Sequence, residues 1–215
     1  MELKHPIVYQ ADSDPSMEGG FVPVYDREVP VEIRTLNREH GSAEALRVKV
    51  LSNDEKVCRI ELTSEQDLFF YFVCVIDSNS YRSLQTQQKL TVALGEYPNV
   101  LSKMLNACIR EPENYTVILT LGSGGSARLE FQQNLQYKYV DLMSLDFVQA
   151  SADSVKMNAN FRHQQIMERY KELQHKFAEF TSLVRLKNPS LLLQIKNLKS
   201  RPGSPLNRST MSSRA

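Results

Sequence analysis

The sequence predicts a mainly β fold with an α insert: a β-sandwich or partly open barrel, interrupted by a helical hairpin and followed by a C-terminal coiled-coil helix. Three observations predict it. Short segments rich in Val, Ile, Phe and Tyr, separated by turn residues, fill most of residues 20–150, as is typical of strands. Residues from about 78 to 110 have a helical pattern instead. Residues 151–187 contain no Gly or Pro, which favours one long helix.

The composition is that of a folded protein with one main core. The chain has 215 residues, of which 41% are hydrophobic and 24% charged, and an ordinary domain occupies about 100 to 200 residues. Cys58, Cys74 and Cys108 are far apart and lie in apolar runs, so we expect reduced core thiols. The sequence has neither a signal peptide nor an apolar run of about 18 residues. We therefore expect a cytoplasmic or cytoskeletal protein with no membrane span.

The head domain, residues 20–150, is expected to follow a leader. Residues 1–19 mix a short apolar patch with Asp, Ser, Pro and Glu, which predicts a flexible segment. Five strand-like segments come next: FVPVY, VPVEIRTL, ALRVKVLS, KVCRIELT and FFYFVCVID. The last is almost wholly apolar, which predicts a central strand buried on both faces. Its aromatic run, Phe69 to Phe72, has no interleaved basic residues, so we expect core packing rather than base stacking.

The helical hairpin is predicted from its start signals and its apolar stripe. Asp77 and Ser78 are good N-cap residues for a first helix, and Tyr97-Pro98 is a typical opening for a second one. The second segment has a wide apolar stripe around Met104. Strand texture then resumes in YTVILTL, ARLEFQQ and YKYVDLMSLDFVQA, with LGSGGSA as the turn between the first two.

The long helix, residues 151–187, has a candidate coiled-coil seam. Apolar residues alternate at spacings of four and three, the pattern of paired helices: Ile166, Tyr170, Leu173, Phe177, Phe180 and Val184. The helix extends about 50 Å at 1.5 Å per residue, which is longer than one small domain. We therefore expect the stripe to pair with another chain rather than to fold back. Toward the helix start the seam meets Ala159 and His163, so pairing there would depend on other contacts.

Charge is unevenly distributed along the chain. After Glu179 the sequence has seven basic residues and no acidic one: Arg185, Lys187, Lys196, Lys199, Arg201, Arg208 and Arg214. Residues 188–215 are predicted to form a basic, largely disordered tail. Such a tail either attracts a polyanion or keeps the protein soluble.

The sequence contains no recognisable catalytic or metal-binding pattern. LGSGGSA lacks both the GxGxxG spacing and the lysine of a P-loop. The four histidines are scattered, whereas a metal site needs clustered ligands. We therefore expect no enzymatic activity, no cofactor and no bound metal.

Two segments resemble a known family. The first is DLFFYFVCVIDSNSYRSLQTQQKLTVALGEYPNVLSKMLNAC (Asp67 to Cys108), with paired phenylalanines, an acid-Ser helix start, an SLxxQQ pattern and a Tyr97-Pro98 helix entry. The second is YKYVDLMSLDF (Tyr137 to Phe147), with an hLxxLSLxF pattern. Both are similar to the head domain of the centriolar cartwheel family, spindle assembly abnormal protein six. With the order of the elements, the similarity spans about residues 21–185. The chain's short extent after the helix is most like the family's short six-like flagellar and basal-body paralogues.

The resemblance implies a non-enzymatic, self-associating structural protein of the centriole, basal body or flagellar base, or of the apical complex in some protists. It implies a parallel homodimer through the helix and a head-to-head contact, in which a loop aromatic enters an apolar pocket of the next head. By alignment that aromatic is Tyr137, where the family usually has Phe. A tyrosine adds a hydroxyl that needs a partner when buried.

Other expected partners are basal-body or flagellar proteins, and nucleic acid is not expected. The alternative is an adaptor that binds another protein or nucleic acid through the same head and helix, as in the end-joining branch of the superfamily.

Overall fold

The computed structural model describes residues 14–35, 41–187 and 190. The chain divides into two compact units, residues 1–163 and 164–215. The first holds seven strands and two helices, together with the start of a third helix. The strands are β1 (Val22–Thr35), β2 (Ser42–Ser52), β3 (Cys58–Ser64), β4 (Tyr71–Ile76), β5 (Tyr115–Leu121), β6 (Ser126–Asn134) and β7 (Tyr139–Gln149). The helices are α1 (Ser78–Gln88), α2 (Tyr97–Arg110) and α3 (Ala152–Lys187).

The seven strands form one sheet that closes into a barrel in the order β1-β2-β3-β4-β7-β6-β5. All neighbours are antiparallel except β1 and β5, which run parallel. The closure between β4 and β7 has only two residue pairs, Phe72 with Gln149 and Val73 with Val148. The mainly β fold with a helical insert is thus confirmed, and of the two predicted descriptions the barrel is the better one, although this barrel is closed through the narrow β4–β7 pairing.

β1 corrects the prediction of two separate strands at FVPVY and VPVEIRTL. The charged residues between them do not end the strand, because the pairing of β1 with β2 extends from Val22 to Ile33. Asp26 points to solvent and accepts two hydrogen bonds from the Arg47 guanidinium, at 2.6 and 2.9 Å. On the opposite face Tyr25, Val29 and Val31 are buried. The alternation of faces therefore continues through the polar stretch.

The helical hairpin lies where the sequence predicts it. The Asp77 carboxylate accepts the backbone N–H groups of Asn79 and Ser80, and the Ser80 hydroxyl accepts the N–H of Asp77, a complete capping box. α2 begins at Tyr97 with Pro98 in its first turn. The rings of Tyr81 and Tyr97 meet edge to face at 5.1 Å, which joins the two helices in the core. The predicted turn between β5 and β6 is also present, with Gly124 and Gly125 at positive φ.

The aromatic run before β4 is only partly in the core. Tyr71 and Phe72 are buried, and Phe70 packs against Phe72 with ring centroids 4.9 Å apart. Phe69 is 70% exposed, so the prediction of core packing is wrong for this residue. β4 begins only at Tyr71 because the Asp67 carboxylate accepts the Phe69 N–H and forms a turn. Burial of β4 on both faces is also wrong, since Val75 is exposed.

The last residues of the predicted flexible leader are packed on the head. Residues 1–13 lie outside the described residues, but residues 14–21 form what we call the N-terminal strap. Asp14 accepts the Ser16 N–H at the start of a single 3₁₀ turn and pairs with Lys49 at 2.7 Å. Ser16 is buried and donates to Glu61 at 2.8 Å. The Arg59 guanidinium lies 4.2 Å above the Phe21 ring, a cation–π contact that also holds the strap.

The strap ion pair persists at neutral pH. Burial raises the pKa of Asp14, but hydrogen bonds from Lys49 and the Ser16 N–H outweigh that effect, so the pKa lies below its usual value. The stabilisation is therefore present above the unfolded pKa of an aspartate and is lost as the pH falls through the lowered one.

The barrel interior is apolar and contains the three thiols. Burial raises the pKa of Cys58 and of Cys74 to about 12, and that of Cys108 to about 11, from a usual value of 9.0. The thiols are therefore neutral core residues at physiological pH, and all three are free cysteines.

Because the pKa values of the buried thiols are raised, we expect the folded state to lose stability at alkaline pH. A thiol whose pKa is raised by folding stabilises the folded state fully at pH values below its unfolded pKa near 9. This stabilisation is lost progressively as the pH rises toward 12. We expect the free energy of unfolding to fall between pH 8 and pH 10 by about 1 kcal/mol for each thiol. Urea unfolding under reducing conditions measures it. The Cys58→Ala, Cys74→Ala variant is the control, and an unchanged pH dependence in it would contradict the assignment.

The start of α3 is bound to the head. Val155, Asn158 and Arg162 are buried at spacings of three and four, so one face of the first turns packs on the barrel. Arg162 Nη2 donates to the Ser64 carbonyl at 2.7 Å and pairs with Glu65 at 3.2 Å. The single long helix predicted from residues 151–187 is confirmed. Within the described ranges, no helix is both long and apolar enough to span a membrane.

Candidate functional site

The first candidate surface is the tip of the β6–β7 hairpin. The loop between the strands is closed by a hydrogen bond from Leu135 N to the Lys138 carbonyl at 2.9 Å, and Gln136 has φ +67. The Asn134 side chain accepts the Gln136 N–H at 2.9 Å, which supports this left-handed residue. Tyr137 is 84% exposed, and Tyr139 beside it is 65% exposed. The hairpin thus presents an aromatic tip on an ordered turn.

An apolar pocket lies beside the same hairpin. Its volume is about 210 Å³ and α2, β5, β6 and β7 form its walls: Lys103, Met104, Ala107, Cys108, Tyr115, Phe131, Gln132 and Leu142. A register shift between Phe131 and Gln132 leaves Leu142 without a cross-strand partner, and its side chain is 37% exposed. A cavity of about 150 Å³ holds a benzene ring. The pocket therefore has room for an aromatic side chain.

α1 is fastened to the hairpin by a glutamine of the SLxxQQ pattern. Gln88 Nε2 donates to the Ser144 carbonyl at 2.7 Å, and Gln88 Oε1 accepts the Ser144 N–H at 2.9 Å. The amide therefore satisfies both backbone groups of one residue on the side of β7 that faces away from β6. Gln85, three residues earlier, donates to the Val92 carbonyl at 3.1 Å. These bonds give a physical reason for glutamines at these positions, because Gln88 holds α1 against β7 and Gln85 ties α1 to the segment that leads to α2.

The second candidate surface is the stripe on α3 beyond residue 163. Five of the six predicted seam residues are more than half exposed, and Val184 is half-buried: Ile166 52%, Tyr170 54%, Leu173 65%, Phe177 62% and Phe180 58%. On another face, Lys176 and Glu172 pair at 2.6 Å with the usual helical spacing of four residues. Exposed apolar side chains in heptad register are characteristic of a helix that pairs.

Sequence reasoning missed several residues near these surfaces. Leu183 and Leu186 are 55% and 82% exposed and lie outside the seam. Arg162, the N-terminal strap and exposed Phe69 had no local signal, because their roles depend on contacts between distant parts of the chain. In the described part of the chain, no group of three or more His, Cys, Asp or Glu is arranged to hold a metal.

The comparison with protein families decides the family. The model of the centriolar protein SAS N-terminal domain, designated SAS-6_N, matches residues 23–147, more than half of the chain. The chain belongs to this family. The resemblance seen in the two sequence segments is thereby confirmed.

One curated relative of the SAS-6 family is the spindle assembly abnormal protein 6 homolog of Danio rerio. It is 26% identical over 125 residues, which cover 54% of this chain and 20% of that protein. The chain therefore aligns with only a fifth of the relative's length.

Solved SAS-6 fragments have the same fold. An N-terminal fragment of Leishmania SAS-6 containing part of its coiled coil has a TM-score of 0.66 at 19% identity and covers 76% of this chain and 98% of that one. A fragment of Drosophila melanogaster Sas-6, described as dimerised via its coiled-coil domain, has a TM-score of 0.68 at 18% identity and covers 87% and 95%. At these identities the likeness supports the fold.

Proposed function

We propose that this SAS-6 family chain is a non-enzymatic, self-associating structural protein of the centriole, basal body or flagellar base. The observation that carries the proposal is the heptad stripe on α3, whose apolar side chains from Ile166 to Phe180 are more than half exposed. Similarity to the short six-like paralogues also remains a prediction. The Danio rerio relative is named for spindle assembly, and the Drosophila melanogaster fragment dimerises through its coiled coil. Both support the proposal.

The dimer we propose is parallel and pairs the two seams. Leu173 lies near the middle of the stripe, between Tyr170 and Phe177, and all three side chains are more than half exposed. Burying such side chains against a second copy contributes about 1.5 to 3 kcal/mol each. Aromatic residues fit the interhelical layers less regularly than Leu or Ile, so we expect modest affinity.

The head-to-head contact we propose joins Tyr137 to the apolar pocket of another head. Phe131, Gln132 and Leu142 of the pocket belong to the same hairpin that has Tyr137 at its tip. A plug and a pocket on one surface patch allow two heads to exchange plugs about a two-fold axis. The Tyr137 hydroxyl then needs a partner or a path to water, which weakens the contact relative to phenylalanine.

Substitution of Tyr137 tests the head contact. We expect Tyr137→Glu to weaken head association by about tenfold or more and Tyr137→Phe to strengthen it. Sedimentation velocity at high concentration measures both, in a chain whose seam carries Leu173→Glu and Phe177→Glu, so that only the heads can meet. Equal association of the three chains would contradict the assignment of Tyr137.

Two measurements test the proposed function as a whole. Sedimentation equilibrium of the unmodified chain is expected to give a concentration-dependent dimer, and a strict monomer at high concentration would refute pairing. A tagged copy is expected to localise to centrioles, basal bodies or the flagellar base. Diffuse staining throughout the cell would argue against the assignment to these structures.

A further inference from the structure

The tip of the β6–β7 hairpin has a charged residue beside its aromatic one. Lys138 directly follows Tyr137, and both side chains are exposed. The Lys138 carbonyl accepts the Leu135 N–H at 2.9 Å, so both residues belong to one ordered turn. None of the described ion pairs includes Lys138. An ammonium group is therefore available next to the residue that enters the pocket in the proposed head contact.

A polar cavity adjoins the apolar pocket. Its walls include Glu130, Asp141 and Leu142, and Leu142 also lines the apolar pocket. Gln132, another residue of the apolar pocket, donates from Nε2 to Asp141 Oδ1 at 2.8 Å. The Asp141 carboxylate therefore lies at the boundary between the two cavities.

Asp141 is the carboxylate of this surface that lacks a cation. Arg128 pairs with Glu130 at 3.1 Å and with Asp146 at 3.2 Å. Asp141 is exposed and belongs to none of the described ion pairs. Three carboxylates thus accompany one guanidinium, so this surface attracts a further cation.

The other basic residues of this region favour the same arrangement. Arg34 on β1 is already bound to an acid of its own strand at 2.8 Å, and Lys89, just after α1, lines neither cavity. Lys103 on α2 does line the apolar pocket. Its charge repels an incoming lysine, which favours the orientation that places Lys138 on the Asp141 side.

We infer that Lys138 pairs with Asp141 of a second head when Tyr137 of the same hairpin enters that head's apolar pocket. The inference rests on the proposed head contact and adds a pair of residues that fixes its orientation. Consecutive Cα atoms lie about 3.8 Å apart, and lysine has a flexible four-carbon stem. The ammonium group can therefore reach the boundary of the pocket while the ring lies inside it. Because the contact is two-fold, the pair forms twice.

A charge reversal tests the inference. We expect Lys138→Glu to weaken head association by roughly tenfold, because two attractive pairs become repulsive. Lys138→Glu combined with Asp141→Lys is expected to restore it. Sedimentation velocity measures both in the chain that carries Leu173→Glu and Phe177→Glu, and thermal melting verifies that each variant remains folded. Lys56→Glu is the control, since Lys56 is exposed in the β2–β3 turn, outside the hairpin and both cavities, and the change in net charge is the same.

The outcomes separate this inference from the head contact on which it rests. Equal association of the Lys138→Glu and Lys56→Glu chains, with Tyr137→Glu still weakened, would overturn the inference and leave the head contact intact. A loss in Lys138→Glu that Asp141→Lys does not restore would also overturn the pairing. Heads that do not associate at all, or that associate equally with Tyr137→Glu, would refute the head contact and the inference with it.

A zero-length crosslink identifies the pair directly. A carbodiimide joins a lysine amine to a carboxylate only where the two are in contact. The seam-substituted chain is crosslinked as a mixture of ¹⁵N-labelled and unlabelled copies at a concentration where the heads associate. We expect Lys138 of one copy to be joined to Asp141 of a differently labelled copy. Crosslinks of Lys138 confined to one chain would overturn the inference.

Discussion

Replacing Leu173 and Phe177 with glutamate is expected to convert the dimer into a monomer at all accessible concentrations. Both side chains are more than half exposed in the single chain, so the substitutions leave the fold of the head unchanged. In a paired seam four apolar side chains become four carboxylates facing one another. The lost burial alone amounts to about 6 kcal/mol, and the repulsion adds to it. We expect the dissociation constant to rise at least a thousandfold.

The control for this experiment adds the same charges off the seam. Lys171 and Ala178 are exposed on α3 and lie one heptad apart on a face away from the seam, so Lys171→Glu with Ala178→Glu keeps the helix and spares the stripe. Sedimentation equilibrium is expected to show a dimer for this chain and a monomer for the seam variant. Dimers of equal affinity in both would locate the contact away from Leu173 and Phe177.

The seam itself was predictable from the sequence because a heptad is a local pattern. Spacings of four and three place Ile166 to Val184 along one side of any helix, and the structure adds that the side is exposed from Ile166 to Phe180. That this stripe binds a second copy remains a prediction. Leu183 and Leu186 lie outside the pattern, and the seam gives no account of their exposure.

The strands and caps were predictable for a similar reason. Asp77 closes its capping box with Ser80, only three residues away, and the alternation of Tyr25, Val29 and Val31 identifies the buried face of β1. The exposure of Phe69 was not predictable from its apolar neighbours, because a carboxylate two residues earlier turns the chain there. Local hydrophobicity identifies an apolar segment but cannot identify where its strand begins.

Tyr137 was predicted through the resemblance alone, and the structure adds its exposure and a neighbouring pocket. A pocket cannot be predicted from spacing, because Met104, Tyr115 and Leu142 come from three different elements. The same holds for Arg162, which reaches Ser64 across 98 residues of sequence. Such contacts between residues distant in sequence form only once the barrel has closed, so no local pattern can predict them.

The second large effect is expected on the stability of the head, where Glu61 of β3 binds the N-terminal strap. This carboxylate is 2% exposed on the outer side of β3 and has partners on both oxygens. Oε2 accepts from the Ser16 hydroxyl at 2.8 Å, and Oε1 pairs with Arg59 at 3.0 Å. Burial and Glu61, which also bonds to the phenol, raise the pKa of Tyr71, so that ring stays neutral beside it. Glu61 therefore joins the strap to the sheet.

Replacing Glu61 with alanine is expected to lower the free energy of unfolding by about 3 kcal/mol, because removing one member of a buried pair leaves the other charge without compensation. Urea unfolding measures the change. Glu130→Ala is the control: its pair with Arg128 at 3.1 Å is exposed, and such pairs contribute about 1 kcal/mol or less. Similar losses in the two variants would mean that burial adds nothing to the contribution of the Glu61 carboxylate. A large loss for Glu61→Ala alone would show that this buried carboxylate, which binds Ser16 of the strap as well as Arg59, stabilises the folded head.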